Sequence, residues 1–371
     1  MKKILFFIHD LGPGGAEKVL VNLVNNMDSA KFDITVMTLF DAGINKKYLN
    51  KKIRYLFCFR KVFRGSTHLM KLFTPEQLHQ RLIHDHYDIE IAYLEGPCAR
   101  IISGCPCKKT KLVAWIHTEY ESKNKAAMAF RTFGEAERCY NRFDRIVCVS
   151  NSVRKNFMSL VKLKAPICVL YNVNEYDKIV RASQEHIDNK LFEEPVFKIA
   201  AVGKLVANKG FDRLLKVAGQ LKQEGCSFRL FLLGEGPEEG KLKKYVRNHD
   251  LSDYVEFLGY QENLYKYVAK CDLFVCASYR EGFSTAAVEA LIVGTAVCTV
   301  KVSGMIELLG RDNEYGVITD NSEAALLNAI RKFINDREFA EKYRKKALER
   351  GRMFRTDKTV MDVEKMLLAL K

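Results

Sequence analysis

The stretch Glu281-Gly-Phe-Ser-Thr-Ala-Ala-Val-Glu289 sets two carboxylates around a glycine turn and a helix start. The run Asp272–Cys276 just before it is β-branched and aromatic, which predicts a buried strand. Gly282 marks a tight turn, Ser284 stands where an N-cap belongs, and the pattern from Thr285 is helical until Gly294. Free backbone N–H groups at a helix start, with about half a unit of positive charge from the dipole, make a seat for phosphate. A carboxylate beside phosphate is unfavourable unless it holds something else, and hydroxyl groups answer that need. A sugar nucleotide carries both groups, with phosphates for the helix end and ribose and hexose hydroxyls for Glu281 and Glu289. Read in isolation, the same two acids could be surface residues, since short motifs arise often by chance.

The elements that must position these residues are legible along the chain. Its 371 residues, 48% apolar and 28% charged, have room for two globular cores. In the first half, strands are expected at residues 4–8, 34–39, 89–94, 112–116, 145–149 and 167–170. Gly12-Pro-Gly-Gly15 leads into a helix with Ala16, Val19, Leu20, Leu23, Val24 and Met27 in register, and residues 131–142 read as another helix. The second half repeats the scheme, with strands at 198–202, 228–233, 255–258, 272–276 and 296–300 and helices at 211–224 and 238–248. After Ile318 helices are expected at 324–334, 339–350 and 360–370. Alternating strands and helices mean parallel sheets covered on both faces, hence an α/β chain of two Rossmann-like domains. The expected division is 1–172, a connection over 173–195, a second domain over 196–350, and a C-terminal helix at 351–371 packing back toward the first domain.

Charge is unevenly spread within the net +15. Residues 1–172 hold 28 Lys+Arg against 15 Asp+Glu, whereas residues 173–371 hold 32 against 30. Such asymmetry points to an anionic partner for the first half. Lys51 to Lys71 is densest, with seven basic residues, no acid, and Tyr55, Leu56, Phe57, Phe59, Val62 and Phe63 between them. No apolar run approaches the roughly 18 residues of a membrane span, and the basic start runs too soon into His9-Asp10 for a signal peptide. Cys148, Cys168, Cys276 and Cys298 fall in expected strands, so the eleven cysteines read as reduced thiols in the cytosol. Cys98, Cys105 and Cys107 lack a fourth metal ligand at a familiar spacing. His84-Asp85-His86 with His79 reads as a solvated helix end, so no metal is expected.

Several nucleotide-binding classes compete. For an NAD-dependent dehydrogenase, Gly12-x-Gly14 needs a third glycine where Glu17 stands, and a carboxylate there repels pyrophosphate, although Asp41 is in its favour. A non-catalytic binding module leaves the lysines, glycines and paired acids of both halves without a common purpose. A metal-dependent sugar transferase wants an Asp-x-Asp, which the sequence lacks. Taken together, Gly14–Lys18, Val202–Leu205 with Asn208–Gly210, Leu233–Gly236, Phe257–Tyr260, Glu281–Glu289 and Ser303–Glu307 resemble family 4 of the retaining glycosyltransferases with the GT-B fold. These motifs stand in the family's order over nearly the whole chain. The nearest flavour is that of bacterial enzymes building capsule, exopolysaccharide or other lipid-linked glycans.

The resemblance implies roles residue by residue. Glu289 would hold the ribose, Glu281 the donor sugar, and the backbone of Gly282, Phe283, Ser284 and Thr285 the diphosphate. Lys209 would neutralise the leaving diphosphate with Lys204, where the family usually has arginine and its bidentate contact. Gly14 and Gly15 would approach the donor's phosphates from the first domain, and His117 would face the donor sugar. Glu119 is an acceptor-side candidate, and Gly259 and Tyr260 would border the base. The implied reaction moves a hexose or N-acetylhexosamine from a nucleotide-sugar, UDP-sugar favoured, to a hydroxyl, retaining configuration with no cofactor. No residue stands out as the covalent nucleophile that retaining glycosidases use. The expected partners are the nucleotide-sugar and a glycan or polyprenyl-diphosphate-linked acceptor, with an anionic membrane met through Lys51 to Lys71. No nucleic-acid motif accompanies the charge. The expected place of action is the cytoplasm, peripheral on the inner face of the cell membrane.

Overall fold

A computed structural model describes residues 1–63 and 65–370, which form two compact units. The first comprises Met1–Asn174 and the C-terminal segment from Thr356; the second is Glu175–Arg355. The first unit holds β1 (Lys2–Ile8), β2 (Phe32–Phe40), β3 (Arg54–Phe59), β4 (Ile89–Ala92), β5 (Lys111–Ile116), β6 (Arg145–Cys148) and β7 (Ile167–Val169). The second holds β8 (Phe197–Val202), β9 (Phe228–Leu233), β10 (Val255–Gly259), β11 (Leu273–Cys276), β12 (Ala296–Val300) and β13 (Val317–Thr319).

Both sheets are parallel throughout, in the orders β3-β2-β1-β4-β5-β6-β7 and β10-β9-β8-β11-β12-β13. Helices cover both faces of such sheets, so central strands read as unbroken apolar runs, and Ile4 to Ile8 of β1 are fully buried. In each sheet the strand order reverses once, between β1 and β4 and between β8 and β11. The chain leaves those neighbours toward opposite edges, and ligands of this architecture sit in the crevice opened at the strands' C-terminal ends.

Two strands, β3 and β13, fall where none was expected. β3 lies inside the basic run as an edge strand, where a half-exposed aromatic run with a single charge shows no polar–apolar alternation. β13 has only three residues, too few for a periodic signal. Residues 173–195, read as a connection, are folded onto the second unit for most of their length. Helix Tyr176–Ser183 buries Ile179, and the Phe192 ring stacks on Phe231 of β9 at 4.1 Å. The C-terminal helix Thr356–Leu368 buries Val360, Val363 and Leu367 in the first unit. There the Glu364 carboxylate accepts from the Asp28 N–H at 2.7 Å.

Candidate active site

At the reversal of the second sheet, the loops after β8 and β11 are tied together. The first ends in a 3-10 turn, Ala207–Lys209, closed by Gly210 at φ +67°. A Cβ there would strike the Ala277 carbonyl, so the left-handed backbone and the close approach both require glycine. The Tyr279 N–H donates to the Asn208 carbonyl at 2.8 Å. The buried Arg213 guanidinium lies 3.9 Å over the Tyr279 ring, and the Tyr279 hydroxyl donates to Asp212 at 3.1 Å.

Lys209 Nζ stands 2.7 Å from Glu281 Oε1, with side chains 28% and 10% exposed. The Ser278 hydroxyl donates to the same oxygen at 2.6 Å, and the Cys276 thiol approaches it at 3.8 Å. Burial, and then the Glu281 charge, push the Cys276 thiol up, so it remains a neutral donor. These donors converge on Oε1, and Oε2 takes none of them. Expected to act on sugar and diphosphate separately, Glu281 and Lys209 are thus an ion pair.

Ser284 caps helix Thr285–Ile292, its side chain accepting from the Ala287 N–H at 3.3 Å. The Ser303 hydroxyl donates to the Gly282 carbonyl at 3.3 Å and pins the turn. Phe283 packs its ring 6.2 Å from that of Phe354. Glu289 is only 4% exposed, with the Tyr265 hydroxyl 3.4 Å from its Oε1. Neither acid is a surface residue. Lys204 is exposed just past β8. Gly259, at φ +65°, ends β10, and the exposed Tyr260 follows it with its N–H donating to Glu235 Oε1 at 3.3 Å.

In the first unit His117 directly follows β5 and is buried. Its N–H donates to Glu95 Oε2 at 3.1 Å, and its ring lies 5.1 Å from Tyr93. The buried Nε2 has no hydrogen-bond partner among the described residues. Glu119 is exposed two residues on. Gly14 caps helix Gly15–Asn26, and a Cβ there would run into the Glu17 carboxylate. The helix start given to the donor's phosphates is therefore overlain by an acid of the chain itself.

Burial depresses the His117 pKa below its ordinary 6.5, with the Glu95 charge opposing. As pH falls through about 6.5 the unfolded chain takes up the proton first, so stability drops from there down to the folded value. Above that window both states are neutral and nothing is lost. His117→Gln is expected to flatten the acid side of a Tm-against-pH curve. Parallel curves for the two proteins would contradict this reading.

The family model described as Glycosyltransferase Family 4 matches residues 13–173, and that described as Glycosyl transferases group 1 matches residues 183–350. Anabaena HepE, solved with UDP and glucose, superposes with a TM-score of 0.78 at 20% identity, all of both chains covered. Sucrose-phosphate synthase from Thermosynechococcus elongatus reaches 0.81 at 16% identity, covering 100% of this chain and 99% of that one. This chain is a GT4-type glycosyltransferase with the GT-B fold. Over its full length the glycosyltransferase is also 28% identical to the N-acetylgalactosamine-N,N'-diacetylbacillosaminyl-diphospho-undecaprenol 4-alpha-N-acetylgalactosaminyltransferase of Campylobacter jejuni, covering 99% of this chain and 100% of that one.

Four residues that shape the glycosyltransferase's sites went unassigned in the sequence. Ser278 and Tyr265 hold the two acids, and Arg213 and Glu95 brace the loops. Ser278 and Glu95 had one available signal, a polar residue just past a strand's C-terminal end. Tyr265 and Arg213 had none, because their positions depend on helices far away in sequence.

Proposed function

We propose that the glycosyltransferase moves a hexose or N-acetylhexosamine from a UDP-sugar to a hydroxyl of a lipid-linked glycan, retaining configuration and using no metal. The observation that carries the donor site is the Lys209–Glu281 pair where the second sheet reverses order, with Glu289 buried on the helix that leaves the same loop. The UDP complex of HepE supports the base, and the diphospho-undecaprenol acceptor in the Campylobacter enzyme's name supports the acceptor.

In this reading the diphosphate lies at the start of helix Thr285–Ile292, and Glu289 accepts from the ribose hydroxyls. Lys209 turns from Glu281 to the diphosphate, which frees Glu281 to accept from the donor sugar. The bond from the anomeric carbon to the diphosphate breaks, leaving its electron pair on a phosphate oxygen. Lys209, Lys204 and the helix N–H groups stabilise that charge. The acceptor oxygen bonds to the same face of the anomeric carbon and passes its proton to the departing diphosphate. We further assign His117 to the donor, Glu119 to the acceptor, and Gly259 and Tyr260 to the base; Gly14 and Gly15 meet the donor once the Glu17 carboxylate swings off Gly14.

A thermal-shift panel of UDP, GDP and ADP with their sugars tests the donor assignment. UDP and a UDP-sugar are expected to raise Tm, whereas a shift with GDP or ADP alone, or with NAD alone, contradicts it. An inverted linkage in the isolated product would contradict retention.

We propose that the basic run docks on an anionic membrane where the acceptor resides, on the cytoplasmic side. Among the described residues no helix is long and apolar enough to cross a membrane. Six of the seven basic residues between Lys51 and Lys71 are described; Arg64 lies outside. Beside them Phe57, Val62, Leu69 and Leu72 are exposed, and Phe63 meets the rings of Phe40 and Phe59 edge-on. Arg100 donates to the Met70 and Phe73 carbonyls at 2.8 and 2.7 Å, and Arg131 to those of Lys71 and Leu72 at 2.6 and 2.9 Å. The patch is thereby fixed to the domain. Each basic residue near an anionic surface contributes about 1 kcal/mol, so Lys51, Lys52, Arg60 and Lys61 changed together to Glu should abolish sedimentation with anionic liposomes. Unchanged sedimentation, or equal binding to neutral liposomes, would contradict docking.

A further inference from the structure

On the first sheet, away from the donor site, His79, Glu90 and Cys105 converge in the core. Glu90 is the second residue of β4, between Leu5 of β1 and Leu112 of β5, and is 2% exposed. A carboxylate in such a place is costly unless charge and hydrogen bonds compensate it. His79, on helix Pro75–Leu82 and 5% exposed, puts Nε2 at 2.8 Å from Glu90 Oε2. Cys105, 1% exposed, puts Sγ at 3.7 Å from Oε1. All three ligand atoms lie within 4.8 Å of one another. Ligand atoms around a tetrahedral zinc ion, at bonds of about 2.0–2.3 Å, stand roughly 3.5 Å apart, a difference that side-chain rotation can close.

The surrounding backbone is built to bring them together. A Cβ on Gly104 would land on the Pro75 carbonyl, so glycine lets the Cys105 loop touch the helix that carries His79. That helix starts in a capping box between Thr74 and Gln77, and Arg142 Nη2 donates to the Cys105 carbonyl at 2.8 Å. Of the expected solvated helix end, His84, Asp85 and His86 are exposed, whereas His79 is not, being buried against Glu90. We propose that His79, Glu90 and Cys105 bind one thiophilic divalent cation, zinc, as a structural site of the first unit.

The charge balance favours this ion. Zinc displaces the Cys105 proton to solvent, and the resulting thiolate with the Glu90 carboxylate neutralises the +2 ion. Imidazole nitrogen, thiolate sulfur and carboxylate oxygen are each zinc ligands, and a tetrahedral ion on these three would complete its shell with one water. Glu90 lies near the N-terminal end of β4, whereas ligands in such folds bind at the C-terminal ends. The ion therefore clamps helix Pro75–Leu82 and the Cys105 loop to the sheet and takes no part in transfer.

The test uses the whole protein after chelator dialysis, titrated with zinc against a chromophoric indicator and, separately, with cobalt(II). One equivalent should bind ahead of any weaker surface sites, raise Tm, and give cobalt a thiolate charge-transfer band. Cys105→Ser should lose that band, and Glu90→Gln should lose the stoichiometric site. Cys58→Ser, outside the cluster, should keep both. Absence of a stoichiometric site in the wild-type chain overturns the proposal, and that result does not depend on any variant folding. An undiminished band in Cys105→Ser overturns it as well.

Discussion

Lys209→Ala is expected to lower kcat/KM for the donor by about 10²–10³-fold while leaving the protein folded, the magnitude found when one preorganised donor to a developing anion is removed. The reasoning starts from the pair it forms. Lys209 is held at 2.7 Å from Glu281, so its ammonium is already ordered where the loops after β8 and β11 meet. A lysine is a point charge on a flexible stem, able to leave a carboxylate for a diphosphate without loop rebuilding. Lys209→Arg should recover part of the rate, since charge is kept and geometry is not. Glu281→Gln should also be slow. The double variant should be far less impaired than the sum of the singles, because the two side chains act as one unit. Steady-state kinetics on the four variants and the wild type decides this, and a wild-type rate in Lys209→Ala contradicts the assignment.

Glu289→Gln is expected to weaken nucleotide binding by about 10–100-fold, because hydrogen bonds to a charged acceptor contribute about 1.5–3 kcal/mol. Glutamine keeps the volume of a side chain that is 4% exposed, and its carbonyl can still accept from the Tyr265 hydroxyl at the position of Oε1. The change therefore removes charge with little disturbance of packing. Calorimetric titration with UDP measures it, and uracil with ribose but no phosphate should show the same ratio between wild type and variant. Equal affinity in the two proteins would place the ribose elsewhere.

Much of the fold could be read because parallel strands buried on both faces leave unmistakable apolar runs, as in Ile4–Ile8 and Asp272–Cys276. The Ser284 cap and the glycine stop at Gly294 were equally local, since each depends on residues within one turn. What escaped was set by neighbours distant in sequence. β3, one charged residue followed by five apolar or aromatic ones with no polar alternation, is set as an edge strand by its pairing with β2. The Lys209–Glu281 pair spans 72 positions, so each residue looked like a separate contact. Glu17 showed as an obstacle to a dinucleotide fingerprint, yet its position over Gly14 also bears on the phosphate role given to that glycine. Glu90 was invisible as a ligand because a single acid in an apolar strand has no periodic signature.

The most direct test is a crystal structure of the glycosyltransferase with UDP or a UDP-sugar bound. The diphosphate should lie beside Lys209 at the start of helix Thr285–Ile292, with Lys209 turned away from Glu281 and the ribose hydroxyls on Glu289. A nucleotide bound anywhere else on the chain, with Lys209 and Glu281 still paired, would contradict the donor site.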